Sequence, residues 1–126
     1  MAKQNTLKPE ISKAINAFSQ NNYEEAEKYC NALLSKENDA DANHIIGCIR
    51  MREKKFEESI SYINKALLVK KDDIGILISL GCAQSSKKDY TDSISTFEKV
   101  IDLKDDISQV HFYLGESYRQ TDQFDK

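Results

Sequence analysis

Three of the four glycines stand at one fixed interval: Gly47, Gly81 and Gly115, with 81 − 47 = 34 and 115 − 81 = 34. An aliphatic residue precedes each, as Ile46-Gly47, Leu80-Gly81 and Leu114-Gly115. An aromatic residue follows each after nine positions: Phe56, Tyr90 and Phe124. A glycine inside a helix costs about 1 kcal/mol against alanine, so three in one register need a packing reason. Where two helices cross closely, a residue without a side chain lets the backbones approach. A period of this length means stacked copies of one supersecondary unit, none able to bury its apolar face alone.

Helical spacing between the glycines gives the unit. Pro9 suits the first turn of a helix, and Ile11, Ala14, Ile15 and Phe18 follow at i, i+3, i+4 and i+7. Gln20-Asn21-Asn22 is a turn, and a second helix carries Ala26, Tyr29, Cys30, Leu33 and Leu34 on its apolar face. This first repeat, about residues 7–39, sits one residue out of register with the rest. Residues 40–73 form the second, with Ile45, Ile46, Gly47 and Ile49, then Phe56, Ile60, Ile63, Ala66, Leu67 and Val69. Residues 74–107 form the third, with Leu77, Leu80, Gly81 and Ala83, then Tyr90, Ile94, Phe97, Val100, Ile101 and Leu103. Residues 108–126 begin a fourth and reach Phe124. The expected fold is an all-α solenoid of about three and a half helix–turn–helix repeats, one domain over 1–126. Met1 to Lys8 are expected to fray. Small residues at Ala26, Ser59 and Ser93 are expected to face the glycines. The incomplete fourth repeat implies either a longer array or self-association.

Composition narrows the function. Net charge is −3 with lysines and carboxylates interspersed, so no basic field favours nucleic acid. No stretch approaches the ~20 apolar residues a membrane span needs, and the N-terminus has no apolar core, so a cytoplasmic location is expected. Three cysteines at long spacings, Cys30, Cys48 and Cys82, suit neither a disulfide framework nor a zinc site and read as small apolar side chains. His44 and His111 are the only histidines, two repeats apart. No Gly-rich phosphate loop, His-Glu metal motif or nucleophile elbow occurs. Asp72-Asp73 and Asp105-Asp106 recur between repeats and read as solvated punctuation. No catalytic residue, metal or cofactor is expected.

The period, the Leu-Gly pair and the aromatic opening each second helix resemble the tetratricopeptide repeat, from about Leu7 to the C-terminus. Departures are visible. Asn43, Leu77 and His111 stand where the family puts an aromatic, and Arg50 and Gln84 where it puts a tyrosine, which Tyr118 supplies. Asn38, Lys71 and Asp105 replace its closing proline. The stretch Ala17–Cys48 resembles the opening repeats of bacterial multi-repeat proteins, many of which carry a sulfotransferase or glycosyltransferase domain.

The resemblance implies a right-handed stack with a concave groove lined by the first helix of each repeat. Spacing maps that face to His44, Cys48 and Met51, then Ile78, Cys82 and Ser85, then Phe112, Glu116 and Arg119, each set at i, i+4 and i+7. Ile78, Cys82 and Phe112 make its apolar part and are not needed for the Leu-Gly core. Two occupants are open: a peptide or helix of another protein, or a later helix of the same polypeptide. The family's carboxylate clamp needs lysines and asparagines, but His44, Cys48, Ile78 and Cys82 hold those places. Its asparagine ladder is replaced by Ile45, Ser79 and Tyr113. The implied function is a non-enzymatic protein-interaction module. The alternative is a recruitment or dimerisation segment of a larger enzyme.

Overall fold

The computed structural model describes residues 7–122. The described residues form seven helices and no strand: α1 (Pro9–Ser19), α2 (Tyr23–Leu34), α3 (Ala40–Arg52), α4 (Phe56–Val69), α5 (Ile74–Ser86), α6 (Tyr90–Leu103) and α7 (Ser108–Asp122). Phe124 lies outside the described residues.

The hairpin turns share one hydrogen-bond pattern. The amides of Asn22, Lys55 and Asp89 reach the carbonyls of Ala17, Arg50 and Gln84 at 2.8 Å. Those of Asn21, Lys54 and Lys88 reach Phe18, Met51 and Ser85 at 2.9 Å. This nested pair closes a helix around one left-handed residue, and Asn21, Lys54 and Lys88 have φ of 63°, 64° and 74°. Asparagine adopts that region with little strain; lysine does so less readily. At the other helix ends, Asp39 and Asp73 accept from the amides of Ala42 (2.9 Å) and Ile76 (3.0 Å), capping α3 and α5. Asp73 therefore starts a helix, while Asp72 pairs with Lys99 at 3.5 Å, so this pair does more than punctuate. Lys8 does not fray: it forms ion pairs with Glu37 and Asp39 and N-caps α1.

The glycine register shows its reason at two positions. A Cβ on Gly47 would stand 2.6 Å from Ile63 Cγ1, and one on Gly81 2.5 Å from the Phe97 ring. Ile63 and Phe97 are both fully buried and are 97 − 63 = 34 residues apart. Ser59 faces Gly47 as expected and donates to its carbonyl at 2.7 Å. At Gly81 the nearest side chain is Phe97. The Phe97 ring fills that space, and the Ser93 hydroxyl pairs with Ser117 of α7 at 3.0 Å. Val69 and Leu103 also leave the core, being exposed at the ends of α4 and α6.

Where the family pattern fails, polar chemistry takes over. Buried Asn43 donates to Asn38 Oδ1 at 2.5 Å, and Asn38 donates to the Lys65 carbonyl at 3.3 Å. Arg50 is 14% exposed and holds Glu27 at 2.5 Å and Glu58 at 3.0 Å, tying α3 to α2 and α4. Hydrogen bonding to Glu27 raises the Arg50 pKa further. Gln84 accepts from Thr96 at 2.7 Å; Tyr118, which keeps the family's tyrosine, donates to Glu98.

Three core clusters follow one another along the stack. The odd helices also touch their next-but-one neighbours, α1 to α3, α3 to α5 and α5 to α7; α2, α4 and α6 touch only helices adjacent in sequence. Helices crowd on the inner side of a bend, so α1, α3, α5 and α7 line the inside of the stack.

Candidate inner-face binding site

The residues mapped by spacing sit on these inner helices and differ in freedom. The His44 imidazole Nε2 lies 2.8 Å from Ser79 Oγ, and Cys48 Sγ lies 4.0 Å from the same hydroxyl. Ser79 thus ties α3 to α5. Burial lowers the pKa of His44 and raises those of the Cys48 and Cys82 thiols. Cys30, deeper still, is pushed up to about 12 by burial. All three cysteines are free thiols, and burial keeps them protonated.

Ile78 and Cys82 correct the expectation that the core does not need them: both are half-buried against Leu77, Phe97, Val100 and Val110. Met51 likewise packs on the middle cluster. Phe112 is 64% exposed, its ring tilted 6.0 Å from Tyr113. Glu116 and Arg119 form an i,i+3 ion pair, and Ser85 is half-buried. His111 lies apart, its Nε2 2.8 Å from the Asp105 carbonyl.

The inner face also has a part that spacing missed. A cleft of about 240 Å³ opens between α1 and α3, lined by Leu7, Ile11, Ile15 and Phe18 on one side and Asp41, His44, Ile45 and Cys48 on the other. The signal was in the sequence. Turn residues Asn21 and Lys54 are 54 − 21 = 33 apart, so the first repeat is one residue shorter than the others. Subtracting 33 carries His44, Cys48 and Met51 onto Ile11, Ile15 and Phe18. The four sets then form one row across the inner face. Among the described residues, no three His, Cys, Asp or Glu side chains are grouped to hold a metal ion, and no helix is long and apolar enough to cross a membrane.

The tetratricopeptide repeat family model matches residues 40–73 and 74–107, more than half of the chain. The chain belongs to the tetratricopeptide repeat family. No curated protein matches it by sequence. Solved structures share the fold at low identity. MamA superposes with a TM-score of 0.81 at 15% identity, over 87% of this chain and 65% of MamA, so the chain spans less than two thirds of that relative. The first repeat domain of RPAP3 (Spaghetti), bound to the HSP90 peptide SRMEEVD, gives 0.82 at 17%, over 87% of this chain and 88% of that one. The second repeat domain of human RPAP3, in complex with the HSP70 peptide SGPTIEEVD, gives 0.78 at 17%, over 86% and 91%.

Proposed function

We propose that this chain is a non-enzymatic protein-interaction module. It holds a peptide or helix of another protein against the inner row of α1, α3, α5 and α7. The observation that carries this reading is exposed apolar surface on that row: Phe112 at 64%, Ile15 at 46% and the cleft beside it. Apolar surface held open in a preformed concavity loses little entropy on binding and gains from water release. The peptide complexes of the two RPAP3 domains support the same class of partner.

The test is site-specific photocrosslinking in cells with benzoylphenylalanine at Phe112 and, as control, at Leu68, which is 81% exposed on outer helix α4. The reading predicts adducts to another polypeptide from position 112 and none from position 68. Adducts from 68 alone would contradict it.

A further inference from the structure

We propose that the cleft between α1 and α3 is a subsite for a peptide of another protein. That peptide presents one bulky aliphatic or aromatic side chain and, two to four residues away, an aspartate or glutamate facing Arg52. The inference rests on the inner-face reading above and gives it a ligand chemistry.

The cleft has apolar walls and two differently charged ends. Its volume, about 240 Å³, takes a large side chain rather than a helix. Its polar lining is already committed: Asp41 pairs with Lys70 at 3.2 Å, and the His44 Nε2 is bonded to Ser79. A charged or strongly polar anchor would lose its water there and find no free partner. An apolar one would lose only water.

Beyond Phe18 and Cys48 the field changes. The Arg52 guanidinium lies 5.2 Å from the centroid of the Phe18 ring and donates to the Tyr23 hydroxyl at 3.1 Å. Its charge reaches Cys48, where it opposes the rise that burial imposes on the thiol. Among the described residues no carboxylate lies within 4.0 Å of it, although Arg50, two positions earlier, has three. Arg52 is therefore a cation placed over an aromatic ring with most of its donors unused, the state in which a guanidinium takes a carboxylate. A helix rises about 1.5 Å per residue, so Arg52 stands roughly 6 Å along α3 from Cys48 and roughly 12 Å from His44. An extended peptide covers that distance in about two to four residues at ~3.3 Å each. The spacing of anchor and acid follows from this geometry.

The experiment titrates the whole ¹⁵N-labelled chain with capped twelve-residue Gly/Ser peptides. One carries a Phe and, three residues on, a Glu; two controls replace the Glu by Gln or the Phe by Ala. The expected result is amide shifts centred on Ile15, Phe18 and Cys48 with the Phe/Glu peptide. The Gln control should bind at least threefold more weakly, and the Ala control should cause no shift. Arg52→Gln should bring the Phe/Glu peptide down to the Gln level without changing the Gln peptide; the variant's own spectrum verifies its fold. Equal binding of the Glu and Gln peptides would overturn the role of Arg52. Shifts confined to Ile78, Cys82 and Phe112 would overturn the subsite while leaving the inner-face reading intact. If no peptide shifts any inner residue, the subsite is wrong, and the crosslinking at Phe112 decides the broader reading separately.

Discussion

Gly81 and Gly115 occupy the same register of successive repeats, yet their surroundings differ. At Gly81 the space where a side chain would begin is taken by the Phe97 ring, 2.5 Å from the Cβ position, and Phe97 is fully buried. At Gly115, apart from the adjoining backbone of α7 and its two chain neighbours, nothing among the described residues lies within 4 Å of that position, and Tyr118, one turn on, is 45% exposed. The same residue thus has opposite consequences. At Gly81 it permits a close crossing that outweighs its poor helix propensity. At Gly115 only the propensity penalty remains. The 34-residue period records a relation between two helices, and a glycine in that register stabilises only where its partner helix supplies the bulk.

The most disruptive way to probe the closed register is Gly81→Leu. Overpacking a filled crossing should lower stability by about 3 kcal/mol, read as a urea midpoint. A midpoint at or above the parent's would mean that close packing does not explain the period.

Hydrogen exchange probes the open side. Amides of α7, packed on one flank, should exchange at least tenfold faster than those of α5, a difference of about 1.4 kcal/mol in opening free energy. Equal protection in a protein monomeric by sedimentation would remove the contrast between edge and interior.

A smaller effect tests the interior seam at His44. Burial lowers its pKa, so the folded imidazole takes up its proton at lower pH than the unfolded one, which does so near 6.5. Between those values the unfolded chain binds more protons, and stability rises with pH. Acidification from pH 7.5 to 5.5 should therefore lower the urea midpoint, and His44→Gln should lose less over the same range. The seam between α5 and α7, where Ile78 and Tyr113 take the places of His44 and Ser79 one repeat on, has no imidazole to contribute. An unchanged pH dependence in His44→Gln would assign the acid sensitivity elsewhere.

The repeats were legible because apolar spacing and glycine register agree over two full periods, and the helices begin and end where that spacing places them. The first repeat is hard to register because Ala14 stands where its successors have glycine, leaving the turn at Asn21 and the aromatic Tyr23 that opens α2 to mark the shift. That shift hid Ile11, Ile15 and Phe18 from the inner row. Lys54 and Lys88 hide the left-handed turns, since neither is the glycine or asparagine that signals one. A one-dimensional period does not tell Ile63 from Phe97 by volume, so the ring that fills the Gly81 crossing was not legible. Arg50 was visible only as a missing tyrosine; three carboxylates from two helices and one turn become partners only in space.

The most direct test replaces each glycine by alanine and measures the urea midpoint of Gly81→Ala against Gly115→Ala. Alanine gains about 1 kcal/mol of helix propensity at both sites. At Gly81 the new methyl meets the fully buried Phe97 ring at 2.5 Å, at a cost of about 1–3 kcal/mol that equals or exceeds the gain. The account predicts a midpoint at or below the parent's for Gly81→Ala and above it for Gly115→Ala. A rise at both positions, or a fall at Gly115 alone, would contradict the claim that the partner helix decides what the register is worth.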